Sequence, residues 1–337
     1  MLCENSRLDQ WLQQNLACPR DFKPLQIRSD TLICPEKHVY PIVQGVPVFL
    51  LKEVVPTQKR FWENLGQPHA LDEPTLPNGL DPFVQQAISA TSGNLYRSLR
   101  LRRYPIPEFP LDRGEGGYLL DLGCNWGRWC ISAARKGYIP IGVDPNMDAI
   151  LAAKRVSKQL NTAAYFLVAD ARHLPFRSHS IDTAFSYSVL QHFDKNDVHH
   201  VLQEISRILN PGGLSLIEMP NALGPHNLLH QLKRGFRRAR DFEVRCWTPS
   251  ELRKAFGLSI GPTSLSADGY FSLNPQAADL DLLPFRFRLV VKISEFLRRG
   301  SLLFPWMICA ADSLYVKSEV RQFPSSNTML ETPRGPC

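Results

Sequence analysis

The sequence predicts an α/β fold preceded by a small β-rich module, and three observations carry that prediction. The first is Tyr118-Leu119-Leu120-Asp121-Leu122-Gly123-Cys124-Asn125-Trp126-Gly127, a short apolar strand running into a glycine-containing turn, followed by helical apolar spacing from Arg128 to Ala134. The second is a pair of later apolar runs, Ile139 to Val143 and Tyr165 to Val168, that end in Asp144 and in Asp170-Ala171. The third lies before residue 52, where Cys18-Pro19 and Cys34-Pro35 alternate with short strand-like runs.

Taken in order, Leu8, Trp11, Leu12 and Leu16 mark a short amphipathic helix. Residues 1–52 then form a ribbon whose hairpins run through Ile33, Val39, Ile42, Val46 and Val48. Residues 53–112 are punctuated by prolines and read as a linker with helical pieces at Thr57–Leu65 and Phe83–Arg103. Tyr96 on the second piece and Tyr104 just after it are candidates to cover a ligand, although packed or exposed aromatics are the commoner outcome. The basic run Arg97, Arg100, Arg102 and Arg103 reads as a solvated face.

The main domain, residues 113–320, supplies strands at about 118–122, 139–143, 165–168, 182–186 and 213–218. Two insertions, at about 222–256 and 270–305, interrupt it. Residues 227–240 alternate cationic and large apolar side chains, as does the expected helix Phe285 to Arg299. Between them Thr248-Pro249-Ser250-Glu251 carries the cap, first-position proline and acidic third residue of a helix start. A sixth strand is expected at about 258–265 and a last antiparallel strand at 313–317. The composition of residues 321–337 suggests a disordered tail.

The chain has 337 residues, 44% of them hydrophobic and 21% charged, ordinary values for a globular protein. It has 8 scattered cysteines, for which reduced thiols are the default in so long a chain. The N-terminal sequence lacks a basic region followed by an apolar one and no apolar run reaches membrane-span length, so a cytoplasmic protein is expected. The formal net charge of +7 suits nucleic acid, anionic lipid or acidic substrates and selects none of them.

The turn at Gly123 to Gly127 is the chemical centre. Its glycines let backbone approach a ligand with no Cβ in the way, and Asn125 is the non-glycine residue that best tolerates a left-handed conformation. An acid at the tip of the second strand, Asp144, is placed to accept hydrogen bonds from both hydroxyls of a ribose. A nicotinamide-dinucleotide site is disfavoured, because Gly123-Cys124-Asn125-Trp126-Gly127 lacks the Gly-x-Gly-x-x-Gly pattern.

These stations, with Ser180 to Phe193 and the helix and turn Val201 to Gly213, resemble the class I S-adenosylmethionine-dependent methyltransferases over about residues 117–221. Asn125 stands where that family often has glycine. The resemblance implies a Rossmann-like seven-stranded sheet and S-adenosylmethionine as cofactor. Its donor site would comprise Asp121, Gly123, Asn125 and Gly127 in the turn, Asp144 on ribose, Asp170 and Ala171 near adenine, and Ser188. Gln191 and His192 follow the fourth strand, where the family often faces substrate, and His192 is the candidate general base. Tyr187 is placed to line either donor or acceptor.

The N-terminal segment, with Tyr40-Pro41-Ile42-Val43-Gln44-Gly45-Val46-Pro47, resembles zinc-ribbon-like domains fused to methyltransferases, and the zinc finger ahead of some ribosomal RNA guanine methyltransferases. The implied ligands are Cys18, Asp21, Cys34 and His38. Structural zinc sites overwhelmingly use cysteine and histidine, so the aspartate tips the expectation toward a ribbon that has lost its metal.

For the acceptor, the basic apolar segments, and the core's resemblance to small-molecule methyltransferases through Leu190-Gln191-His192-Phe193 and Asn210-Pro211-Gly212-Gly213, favour a small-molecule or lipid-like compound bound under residues 226–300, with peripheral membrane contact in view. RNA is the runner-up, on the ribbon and the Lys233 to Arg240 cluster. A non-catalytic S-adenosylmethionine-binding scaffold is the third reading.

Overall fold

A computed structural model describes residues 6–51, 79–91, 101–240, 243–271 and 276–321. The expected helix at Thr57–Leu65, Tyr96, Arg97, Arg100 and the tail beyond 321 lie outside the described residues.

Helix α1 (Ser6–Asn15) opens the chain, and Trp11, Leu12 and the following Leu16 are buried. Strands β1 (Gln26–Arg28), β2 (Thr31–Ile33), β3 (Val39–Val43) and β4 (Val46–Pro47) form an antiparallel sheet in that order. This ribbon is joined firmly to the main domain. Trp11 stacks on Tyr118 at 4.5 Å, Leu16 pairs with Phe176, and Val48 pairs in parallel with Val168. The Phe49 amide donates to the Val168 carbonyl at 2.7 Å, so the ribbon covers backbone groups at an edge of the main sheet that would otherwise be unpaired.

Helix α2 (Pro82–Thr91) precedes the core. Then come β5 (Tyr118–Leu122), α3 (Arg128–Arg135), β6 (Ile139–Asp144), α4 (Met147–Gln159), β7 (Tyr165–Val168), β8 (Ile181–Ser186), α5 (Lys195–Ile208) and β9 (Leu209–Pro220). Helices α6 (Pro225–Lys233) and α7 (Pro249–Ser259), β10 (Thr263–Gly269), α8 (Phe285–Leu303) and β11 (Ser313–Glu319) complete the described chain. The seven-stranded sheet runs β10-β11-β9-β8-β5-β6-β7, with β10 and β11 antiparallel to their neighbours and the other pairings parallel. This is the Rossmann-like sheet expected from the sequence.

Strand order reverses at β5, which pairs with β6 on one side and β8 on the other. Crossovers leave in opposite directions there and open a crevice beyond the strand ends. Local chemistry fixes the helices around it. The Asn146 side chain accepts from the amides of Asp148 and Ala149 to start α4, and Asp194 does the same from Asp197 for α5. The capping box at Thr248 and Glu251 is present as read from sequence.

The sixth strand is displaced from 258–265 to Thr263–Gly269. Helix α7 runs through Leu258 and Ser259, and the chain turns at Gly261, with φ of 153°. A Cβ there would sit 2.2 Å from the Glu319 carbonyl oxygen, so glycine permits the tight entry into β10. Helix α8 continues past Arg299 to Leu303. The helix expected at Phe83–Arg103 is described as Pro82–Thr91. Tyr104 is buried, donates to Gln159 at 2.6 Å, accepts from the Asp81 amide at 2.8 Å, and lies 6.2 Å from the Trp126 ring. It braces the turn from behind.

Candidate functional site

The crevice is built first by the β5–α3 turn. Gly123 has φ of 74°, Asn125 52° and Gly127 79°, three left-handed residues within five positions. An added Cβ on Gly123 would lie 2.3 Å from Val189 Cγ2. The turn is tied to β6 by amides of Gly123 and Cys124 that donate to the Val143 carbonyl at 2.7 and 3.0 Å. Asp144 ends β6. Its Oδ2 accepts from the Asn125 amide at 3.0 Å and its Oδ1 from the Asn146 amide at 2.9 Å. Each oxygen keeps a second lone pair for a ligand hydroxyl. Burial raises its carboxyl to about 6 despite these amides.

Asp121 is buried at the end of β5, where its Oδ2 lies 3.2 Å from the Cys130 thiol. Burial pushes it up to about 7, against the pull of that thiol and of Arg128. Asp170 has company that the sequence did not announce. Its Oδ1 accepts from the Arg172 amide and Nε, both at 2.9 Å, and its Oδ2 from Arg172 Nη2 at 2.8 Å. Arg172 also reaches Asp197 at 3.0 Å. Most of Asp170's accepting capacity thus goes to an ion pair beside the buried Ala171.

Across the crevice, Ser188 is also left-handed, with φ of 58°. Its amide and hydroxyl both donate to Glu218 Oε2, at 2.8 and 3.0 Å, holding a conformation that costs about 1–2 kcal/mol for a non-glycine residue. Sequence reading missed Glu218, and with it Asp268 and Ser313. The Ser313 hydroxyl lies 2.5 Å from Glu218 Oε1 and 2.8 Å from Asp268 Oδ2, while the Tyr187 hydroxyl donates to Asp268 at 3.0 Å. Ser313 has one proton and two carboxylates within reach, so one of the two acids carries a proton. Burial first, then the Asp268 charge, raises Glu218 to about 7. The available signal was a carboxylate inside an apolar strand run, Leu216-Ile217-Glu218-Met219.

His192 ends a 3-10 turn, Leu190–His192, on the same side. Its Nε2 lies 3.3 Å from the Gln191 side-chain amide, and its carbonyl accepts from Arg245 Nη1 at 2.9 Å. Arg128, at the start of α3, lies over both Trp129 and Tyr187, 5.3 and 5.5 Å from the ring centroids. Its Nη1 is buried with no hydrogen-bond partner among the described residues.

The ribbon holds a second cluster. Donor atoms of Cys18, Asp21, Cys34 and His38 lie within 4.8 Å of one another. His38 Nδ1 is 3.4 Å from each sulfur and 3.3 Å from Asp21 Oδ2, which is 3.4 Å from the Cys34 sulfur. A tetrahedral ion with bonds of about 2.3 Å to sulfur and about 2.0–2.2 Å to nitrogen and oxygen sets its ligand atoms about 3.3–3.8 Å apart. These four separations match that spacing, the aspartate's included.

Residues 119–213 match the family model of a methyltransferase domain. A biotin biosynthesis bifunctional protein BioHC of Cellvibrio japonicus is 32% identical over 124 residues, 37% of this chain and 23% of that protein. The methyltransferase GfsG of Streptomyces halstedii is 34% identical over 140 residues, 41% of this chain and 45% of that one. The mouse tRNA (carboxymethyluridine(34)-5-O)-methyltransferase ALKBH8 is 32% identical over 124 residues, 36% of this chain and 18% of that one. The chain spans less than half the length of these curated relatives. With the crevice and the sheet order, the match identifies a class I S-adenosylmethionine-dependent methyltransferase domain.

Proposed function

We propose that this chain transfers a methyl group from S-adenosylmethionine to a small-molecule or lipid-like acceptor. The observation that carries the reading is the left-handed turn Gly123 to Gly127 with Asp144 hydrogen-bonded beside it, at the crevice where strand order reverses. When bound, the donor supplies an electrophilic sulfonium methyl, so the protein has only to align, exclude water and accept a proton.

The turn offers backbone without side-chain bulk, and Asp144 offers two lone pairs to ribose. Buried Arg128 Nη1 seeks an acceptor and suits the donor's carboxylate. Ala171 then presents backbone to adenine, since Asp170 is engaged by Arg172. On the acceptor side His192 remains the candidate base. The Glu218 carboxylate, bridged to Asp268 by the Ser313 hydroxyl and raised to about 7, supplies a second candidate, reached through Ser188.

RNA is the second reading, supported by the ribbon and the Lys233 to Arg240 cluster. Against it, Arg237 is paired with Glu243 and Arg103 with Asp281, and apolar side chains stand exposed between the cations. In the ribbon, the convergence of Cys18, Asp21, Cys34 and His38 supports a structural zinc ion, the alternative to the metal-free ribbon favoured by sequence.

The test is incubation with methyl-labelled donor and fractionated cell extract. Label in small-molecule or lipid pools supports the reading, and label in RNA reverses the order. No transfer to any pool, with the donor bound, leaves the scaffold reading.

A further inference from the structure

Helix α8 spans 19 residues, yet only Val291 and Ser301 are fully buried. Its inner side is short of apolar anchors. Ser294 exchanges hydrogen bonds with the Tyr270 backbone at 2.9 and 3.2 Å, and Leu297 packs against the core. The outer side has a regular stripe. Phe285, Leu289, Lys292, Phe296, Arg299 and Leu303 recur at spacings of four and three, and all are exposed. Phe285 is 79% exposed, Phe296 76% and Leu303 77%, and Trp306 in the following 3-10 turn is 71% exposed.

So many large apolar side chains on one helix exceed the scattered exposure of an ordinary surface. The accompanying charge is cationic: Arg286, Arg288, Lys292, Arg298 and Arg299 against Glu295, which is already paired with both Arg298 and Arg299. Helix α6 repeats the pattern. It buries no residue, exposes Leu228, Leu229 and Leu232, and runs into Phe236, Arg237 and Arg238. The two elements spring from one junction. The α6 amide of His226 donates to Asp312 at 3.0 Å, and Asn221 donates to carbonyls of Ile308 and Cys309, in the 3-10 turn after α8. Among the described residues no helix is long and apolar enough to cross a membrane.

We infer that the outer face of α8, with Trp306 and the exposed side of α6, docks on an anionic bilayer surface. Aromatic and leucine side chains enter the acyl boundary, and Lys292, Arg299 and Arg288 meet lipid phosphates. An RNA partner would leave the aromatic stripe in water, and a second copy of this chain would bring like charges together. The docking extends the lipid-like acceptor reading above. Ser294, on the inner side of the same helix, is hydrogen-bonded to the backbone of Tyr270, two residues after Asp268, so a docked α8 lies beside the acceptor side of the crevice.

The test is co-sedimentation of the full chain with vesicles of phosphatidylcholine containing about 30% phosphatidylserine, beside pure phosphatidylcholine. Wild type should bind the anionic vesicles preferentially. Phe296→Asp should weaken binding at least about tenfold, and Lys292→Ala and Arg299→Ala about fivefold each. S-adenosylhomocysteine binding, measured on the same samples, should be unchanged in all three. Failure to bind anionic vesicles, equal binding to both compositions, indifference to Phe296→Asp, or dimerisation through α8 would each overturn the docking. Loss of S-adenosylhomocysteine binding by wild type would instead strike the donor site, so the two failures are distinguishable.

Discussion

Gly123→Ala is a sharp perturbation of the crevice, because two separable costs meet at one atom. Gly123 has φ of 74°, a conformation that costs an L-residue about 1–2 kcal/mol. The new Cβ would also lie 2.3 Å from Val189 Cγ2 and 2.8 Å from Cγ1, both side-chain atoms of a residue fixed next to Ser188. Overpacking of this kind costs about 1–3 kcal/mol, so the total is about 2–5 kcal/mol. Urea denaturation of Gly123→Ala, Val189→Ala and the double variant measures it. Deleting the Val189 methyl groups should recover the steric part in the double variant and leave the backbone part. S-adenosylhomocysteine affinity should fall in Gly123→Ala and return partly with the double. A single variant within about 0.5 kcal/mol of wild type, or strict additivity in the cycle, would refute the close approach.

Other consequences follow from the acids and the ribbon. Glu218→Gln should lower kcat by about 10²-fold or more with donor affinity nearly unchanged, since a base acts on the acceptor alone; His192→Ala distinguishes the second candidate by the same split. Asp121 and Glu218 are raised in the folded state to about 7. Between the unfolded carboxylate value of about 4 and about 7 the native protein therefore binds more protons than the unfolded chain. That stability is fully present below about pH 4 and is lost as pH rises toward 7, so urea midpoints should fall across this window and Glu218→Gln should flatten the slope. Protein purified without chelator should carry about one equivalent of zinc by elemental analysis, and Cys34→Ala should lose it.

The sequence made the sheet legible where periodicity and turn chemistry agree. The strands at Tyr118, Ile139 and Tyr165, the capping box at Thr248 and the left-handed Asn125 are local facts of composition, and they recur in the structure. The start of β10 was misplaced because nothing local marks how far α7 runs before Gly261. The partners of Asp170 and Glu218 were illegible for a different reason. Arg172 is only two residues from Asp170, but whether it folds back is a packing outcome. Glu218, Asp268 and Ser313 meet only through the antiparallel pairing of β9, β10 and β11. Asp21 read as a weak ligand by residue type, whereas its convergence with two sulfurs and an imidazole is a property of the folded hairpins.

The donor site is tested most directly by calorimetry of S-adenosylhomocysteine with wild type and Asp144→Ala. The wild type should bind about one equivalent. Asp144→Ala removes two charge-assisted hydrogen bonds of about 1.5–3 kcal/mol each before water compensates, so its affinity should fall at least about tenfold. No saturable binding by wild type, or equal affinity in the variant, would contradict the assignment.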